Sequence, residues 1–307
     1  MNGLSENTSG AADRMPIRAA LAAATAQLAG CGVASARVDA ELIAAAVLGI
    51  ARARLALSSG FDVARRARFD ELVSRRAAGE PVQYITGSAP FRYLELAVGP
   101  GVFVPRPETE LLAGAGIDAM RERVGVGGAG DRDGTVVDLC SGSGAVALAV
   151  AHEVPAARVI AVERSAESLD WLRRNAGRRA AAGDRPIEVV PGDVTDPGLL
   201  AELTGQVDVV LCNPPYVPDG TPVPPEVAGH DPVEAVFGGP DGLAVIRPVV
   251  SRAAVLLRPG GLLGVEHDDS HADAVVELIV ADGRFTDVAG QHDLAGRPRY
   301  VTAHRTG

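Results

Sequence analysis

From residue 16 to about 79, apolar side chains recur at steps of three and four. Leu21, Leu28, Val38, Leu42, Ile43, Val47 and Leu48 carry the pattern, which lines one face of a helix. Ser35 and Asp39 are candidate helix caps, and Gly30, Gly32, Gly49 and Gly60 stand where helices would stop. Residues 63–78 are rich in Arg yet keep Phe69, Leu72 and Val73 on one face. A small helical domain over 16–80 is expected, after a loose tail of small polar residues over 1–15. The texture changes at Gly79-Glu80-Pro81. Alternation over 94–98 and 102–104 predicts a β-hairpin within a linker spanning 81–107.

From 108 to 307 the pattern alternates between short β-branched runs and helical stretches. Strands are expected over 135–140, 158–162, 188–190, 207–212 and 261–266, with helices over 145–153, 166–176, 243–257 and 272–280. Strands interleaved with helices specify a mainly parallel, doubly wound α/β sheet. Two last strands, 286–290 and 300–303, lie too close in sequence for a crossover and predict an antiparallel edge. The Gly-rich stretch 125–134 reads as a loop.

Composition narrows the chemistry. Of 307 residues, 29 are basic and 39 acidic, a net charge of −10. That balance opposes a nucleic-acid coat, which needs a cationic footprint. All the basic residues are Arg; without Lys there is no P-loop Lys and no Schiff-base Lys. Three scattered cysteines, Cys31, Cys140 and Cys212, suit a reducing cytoplasm better than a disulfide framework. No run of about 20 apolar residues suggests a membrane span.

Two motifs carry chemistry. The first is Asp138-Leu139-Cys140-Ser141-Gly142-Ser143-Gly144, which follows the first strand of the alternating region and opens a helix. Ligands of open α/β sheets bind at such carboxyl ends, and glycines let them approach the backbone. Glu163 ends the next strand about 20 residues later, where an acid can accept hydrogen bonds from ribose hydroxyls. The loop alone suits NAD as well as S-adenosylmethionine. Asp138 tilts it toward the latter, because an acid there repels a pyrophosphate and suits a cationic amino-acid tail and sulfonium. Asp193, after the third strand, is a candidate acceptor for an adenine amino group, with Val194 against the ring.

The second motif, Asn213-Pro214-Pro215-Tyr216, ends the strand expected over 207–212. An amide or exocyclic amine nitrogen is a poor nucleophile because its lone pair is delocalised. A site must hold its NH₂ with acceptors and aim the lone pair at the methyl group. The Asn213 side-chain oxygen and the Pro214 carbonyl are candidate acceptors, and the two prolines fix the backbone in advance. Tyr216 offers a flat face to a planar amide or base. No general base is evident; catalysis would come from orientation and desolvation.

The tetrapeptide after such a loop resembles the amino-methyltransferases. Three more segments sharpen this: Gly79-Glu80-Pro81-Val82-Gln83-Tyr84-Ile85-Thr86-Gly87, Val102-Phe103-Val104-Pro105-Arg106-Pro107-Glu108-Thr109-Glu110, and Ser35-Ala36-Arg37-Val38-Asp39-Ala40-Glu41-Leu42-Ile43. Together they resemble the release-factor glutamine methyltransferase family (PrmC/HemK) over nearly the whole chain from residue 16. The resemblance implies a Rossmann-like class I S-adenosylmethionine methyltransferase fold with a helical domain that docks the substrate. It implies S-adenosylmethionine as donor and, as substrate, the glutamine of the Gly-Gly-Gln motif of peptide-chain release factors. By position it assigns the cofactor to Asp138, Cys140, Ser141, Gly142, Ser143, Gly144, Glu163, Asp193, Val194 and Asn213. Asn213, Pro214, Pro215 and Tyr216 would hold the substrate amide, with Phe103, Pro105 and Arg106 lining the pocket. Two positions depart from the family: Cys140 stands where Gly is usual, and Asp231 where Glu is usual.

Other readings bear on the same residues. An adenine-N6 nucleic-acid methyltransferase would use the tetrapeptide but is opposed by the charge. An NAD-dependent oxidoreductase or a binding module would leave 213–216 unexplained. Cys140 and Cys212, at the ends of neighbouring strands, are read as inert thiols rather than a redox switch. Residues 266–271 match no zinc spacing, so no metal is expected. The Arg run over 65–76 is read as a solvated face or a docking face for an acidic partner. A cytoplasmic monomer without sequence-specific nucleic-acid contacts is expected.

Overall fold

The structure, a computed structural model, describes residues 15–125 and 134–307. The tail expected over 1–15, but for Met15, and residues 126–133 of the expected Gly-rich loop lie outside the described residues. The chain divides into two compact units, Met1–Gly87 with Pro224–His230, and Ser88–Val223 with Asp231–Gly307.

The first unit is helical: α1 (Ile17–Gly30), α2 (Ala36–Leu48), α3 (Val63–Ala77) and α4 (Val82–Thr86). Leu28, Ile43, Phe61, Phe69 and Leu72 meet in its core, and the rings of Phe61 and Phe69 stack at 4.8 Å. Asp39 is not a cap. It lies inside the core, where its carboxylate accepts from Ser35 Oγ at 2.8 Å and Arg76 Nε at 2.7 Å. A buried acid persists only when paired in this way. The Arg run of α3 is largely neutralised by Asp62, Asp70, Glu71 and Glu80.

The second unit opens with a hairpin of β1 (Ser88–Phe91) and β2 (Leu94–Ala97). The expected pairing of 94–98 with 102–104 does not form. Val102 and Val104 are buried and Phe103 points partly outward, so that segment alternates as a strand would, but Gly99-Pro100-Gly101 turns it away from β2. The earlier segment Ser88–Phe91 pairs instead, despite Pro90, which sits on a short exposed edge where a missing N–H is tolerated.

There follow α5 (Thr109–Gly125), β3 (Thr135–Leu139), α6 (Ala145–Glu153), β4 (Arg158–Glu163), α7 (Ala166–Ala181), β5 (Glu188–Pro191) and β6 (Val207–Cys212). After α8 (Pro225–His230), which belongs to the helical unit, come α9 (Val233–Val236), α10 (Ile246–Leu256), β7 (Leu257–Glu266), α11 (Ala272–Asp282), β8 (Phe285–His292) and β9 (Pro298–Arg305). The seven-stranded sheet runs β5-β4-β3-β6-β7-β9-β8. It is parallel through β7 and antiparallel at β9 and β8. Val137 and Leu139 face a core shared with Ile246, Val249, Val275 and Ile279. Val136 faces another, with Leu112, Ile117, Val146 and Leu172. Helices cover both faces, which is why the central strands are near-continuous apolar runs. Strand order reverses between β3 and β6, so their carboxyl ends form the crevice where such sheets bind ligands.

Candidate active site

The Gly-rich loop fills that crevice. Gly142 and Gly144 have φ of 54° and 86°. A Cβ on Gly144 would stand 2.5 Å from Leu172 Cδ1 and 3.2 Å from Leu148 Cδ1, so that position is barred to other residues twice over. Glu163 braces the loop. Its carboxylate accepts from the backbone N–H groups of Gly142, Arg164 and Ser165, each at 2.8 Å. With about four acceptor positions on a carboxylate, room remains for a hydroxyl donor. Asn175 adds a second brace: its amide accepts from Ala97 N and donates to the carbonyls of Ala97 and Ser143. Nothing in the local sequence signals Asn175, since its partners lie far along the chain.

Cys140 has φ of 59°. A side chain there costs about 1–2 kcal/mol, a cost glycine avoids. Glycine would thus fit this backbone better than the cysteine present. Replacing Cys140 by Gly is expected to give a protein more stable than replacing it by Ala, by about 1 kcal/mol in urea unfolding. The two variants lose the same thiol, and this order is the reverse of that at an ordinary helix or strand position. The Cys212 thiol, fully buried, is pushed well above its usual range, first by burial and then by the adjacent Cys140. A thiol so protonated is unreactive.

Asp138 is only 1% exposed, and its Oδ2 accepts from Ala147 N in α6 at 3.1 Å. Burial raises its pKa to about 7, against the pull of Ser141 and Ala147. Between about pH 4 and 7 the folded protein therefore holds a proton that the unfolded chain has released, and stability falls as pH rises through that window. Glu266, also raised to about 7 by burial, acts with the same sign. In thermal melts from pH 4.5 to 7.5, Asp138→Asn is expected to flatten part of this decline; an unchanged slope would contradict a raised Asp138.

Two residues past the end of β5, the carboxylate of Asp193 accepts from the Thr195 N–H and hydroxyl, each at 2.8 Å. These bonds, the Thr195 N–H foremost, hold its pKa below the usual range. Arg164, Ser165, Gly192, Asp193 and Glu234 line a cleft of about 590 Å³. The next residue, Val194, is buried in the core.

The tetrapeptide leaves β6 beside the loop, since Cys212 pairs with Leu139 across the sheet. Pro214 and Pro215 are buried, and Asn213 and Tyr216 are half-buried. Val217 N donates to Val236 O at 3.0 Å, and Gly238 N to Val217 O at 2.8 Å. This bridge leaves no room for a side chain at Gly238, where a Cβ would stand 2.5 Å from Pro215 O. Asn213 Nδ2 donates to Thr109 Oγ1 at 3.0 Å. The Tyr216 hydroxyl donates to Glu266 Oε1 at 3.2 Å, and burial, then the Glu266 charge, raises the Tyr216 pKa. Thr109 and Glu266 carry no sequence signal for this role.

One turn before Thr109, the Arg106 guanidinium lies 4.7 Å from the Phe103 ring centre and pairs with buried Asp231 at 2.7 Å. The shorter acid at 231 reaches its partner. Pro105, between Val104 and Arg106, is half-buried. The structure thus gathers Cys140–Gly144, Glu163 and Asn213–Tyr216 at the carboxyl ends of three adjacent strands. Asp193 extends the row beyond β5, and the Phe103–Arg106 segment reaches it through Thr109. Among the described residues, no three His, Cys, Asp or Glu side chains are arranged to hold a metal, and no helix is long and apolar enough to cross a membrane.

Sheet order, loop and tetrapeptide define a class I methyltransferase domain, preceded in sequence by a helical unit. A family model for the PrmC N-terminal domain matches residues 19–87, and one for the methyltransferase small domain matches 125–225. The chain is 51% identical to the release factor glutamine methyltransferase of Mycolicibacterium smegmatis, covering 94% of this chain and 98% of that one. Identity to the proteins of the same name from Mycobacterium tuberculosis and Streptomyces coelicolor is 46%, covering 95% and 94% of this chain and 93% and 97% of theirs. Among solved structures, the hMettl16 catalytic domain in complex with a MAT2A 3'UTR hairpin superposes with a TM-score of 0.50 at 13% identity, covering 77% of this chain and 82% of that one, a likeness of fold alone. The chain belongs to the release factor glutamine methyltransferase family.

Proposed function

We propose that this protein transfers a methyl group from S-adenosylmethionine to the N5 amide nitrogen of the glutamine in the Gly-Gly-Gln motif of peptide-chain release factors. One observation carries the reading: Asn213–Tyr216 and the Gly142–Gly144 loop leave adjacent parallel strands, in register at Leu139 and Cys212, in a chain 51% identical to a protein of that name. An amide held by the first motif therefore lies beside a donor held by the second.

The residues fit the donor. Glu163 keeps acceptor capacity after its three backbone bonds, and Asp193 borders a cleft of about 590 Å³. Val194 follows Asp193 in sequence as an apolar neighbour for the adenine ring, and Asp138, Cys140, Ser141, Gly142, Ser143 and Gly144 shape the loop that carries the amino-acid end. When bound, S-adenosylmethionine supplies a sulfonium methyl as the electrophile. Asn213 Oδ1 and the Pro214 carbonyl accept from the substrate NH₂, which turns the nitrogen lone pair out of conjugation and toward that methyl. Pro215 stiffens the turn, and the Tyr216 ring covers the amide plane. Phe103, Pro105 and Arg106 line the approach of the glutamine, with Arg106 held by Asp231.

Radiolabelled donor, incubated in parallel with a release factor and with duplex DNA, tests the substrate class. Label is expected on the release factor alone; label on DNA would favour an adenine-N6 methyltransferase instead.

A further inference from the structure

Asn175, on α7, is 2% exposed, and its amide bonds two segments that are far apart in sequence. Its Oδ1 accepts from the Ala97 N–H at 2.8 Å, and its NH₂ donates to the carbonyls of Ala97 and Ser143, each at 3.0 Å. Ala97 ends β2, and Ser143 stands between the two glycines of the loop. Both amide hydrogens are therefore in use, one on each segment. Without the side chain three backbone groups would lose this partner, so it ties the two backbones to each other.

The same face of α7 extends the tie. Ser168, Trp171 and Asn175 follow one another at steps of three and four, which places them in one row along the helix. Ser168 Oγ donates to the Gly101 carbonyl and Trp171 Nε1 to the Pro100 carbonyl, each at 3.1 Å. The Trp171 ring covers Gly99, where a Cβ would stand 2.6 Å from Cζ2. The chain over 97–101 is thus bonded along α7 immediately before it continues into Phe103, Pro105 and Arg106. The helix also holds the loop: Ser165 N donates to the Glu163 carboxylate at 2.8 Å, and Leu172 packs where a Cβ on Gly144 would be.

We propose that α7 is a splint between the donor loop and the segment that leads to the substrate side of the site, with Asn175 as its positioning residue, so that donor and release factor each strengthen the binding of the other. The inference rests on reading the 140–144 loop as the donor site and 103–106 as the lining of the glutamine's approach. A donor on the loop restrains the Ser143 peptide, and the Asn175 amide passes that restraint to Ala97 and the chain after it. The second ligand then meets a segment already ordered and loses less conformational entropy on binding. By linkage the effect is the same in both directions.

Calorimetry with a release factor and S-adenosylhomocysteine, which cannot transfer a methyl group, tests the proposal. In the unsubstituted protein, saturation with S-adenosylhomocysteine is expected to lower the Kd for the release factor by about 10-fold, within the usual range of such couplings. In Asn175→Ala that ratio is expected to fall to about twofold. A role confined to stability predicts something else: both Kd values weaken and their coupling ratio stays near 10. Hydrogen exchange supplies the local readout, since amides over 97–101 should slow when S-adenosylhomocysteine binds the unsubstituted protein and not when it binds N175A. A ratio above fivefold in N175A, a ratio within twofold in the unsubstituted protein, or unchanged exchange over 97–101 in the unsubstituted protein overturns the inference. Should N175A fail to fold, Trp171→Phe keeps a ring over Gly99 and loses the bond to Pro100; its ratio is expected near threefold, and a ratio equal to that of the unsubstituted protein overturns the inference instead. If the unsubstituted chain binds no S-adenosylhomocysteine or no release factor, the functional reading itself fails and this inference with it.

Discussion

Asn213→Ala is expected to reduce methyl transfer by about 10³-fold while leaving the affinity for S-adenosylmethionine within a factor of ten. The substitution removes an acceptor placed at the reacting nitrogen, and losing one such preorganised contact costs about 10²–10³ in kcat. The loss is expected at the upper end, because in the proposed mechanism the same side chain sets both the position and the lone-pair direction of the nucleophile. In the proposed site, cofactor affinity would depend mainly on other groups: the loop over 140–144, Glu163 and the Asp193 cleft. Calorimetry for binding and single-turnover labelling for transfer separate the two effects. Transfer by the variant within tenfold of the unsubstituted protein would contradict the role given to Asn213.

Gly238→Ala is expected to be nearly as damaging without touching a reacting group. The new Cβ would stand 2.5 Å from Pro215 O, 2.7 Å from Gly242 O and 3.0 Å from Tyr216 Cα. All three are backbone atoms, so no rotamer change relieves the clash; the tetrapeptide or the 237–242 turn must move. Overpacking of this kind costs about 1–3 kcal/mol, and a shift of about 1 Å at the amide holder lowers turnover by about 10²-fold. A lowered melting temperature, turnover down by at least about 100-fold and a smaller loss of cofactor affinity are the expected set. Turnover within threefold of the unsubstituted protein would show that the hydrogen bonds of Val217 with Val236 and Gly238 do not hold the tetrapeptide in place.

What was legible in the sequence is what depends on neighbours in sequence. Gly142 and Gly144 stand out because a strand-to-helix turn needs positive φ within a few residues. Asn213–Tyr216 stands out because two prolines follow an apolar strand. Alternating strands and helices determined the sheet, and the close final pair its antiparallel edge. Features that depend on distant partners stayed hidden. Asn175 looks like any polar residue on a helix until β2 and Ser143 are brought to it. Thr109 and Asn213 are 104 positions apart, and Glu266 sits in an acidic, His-containing stretch that reads equally as surface. The hairpin shows local pattern overruled: Val102 and Val104 alternate as a strand would, but Gly99-Pro100-Gly101 redirects the chain and Ser88–Phe91 takes the partner. Asp39 carries the signature of a helix start, yet Arg76, 37 positions away, draws it into the core.

The most direct measurement is tandem mass spectrometry of a purified release factor after incubation with this protein and S-adenosylmethionine. A single added methyl group on the glutamine of the Gly-Gly-Gln motif is predicted, and it should disappear with Asn213→Ala. Methylation at any other residue, or none when cofactor binding is intact, would contradict the account.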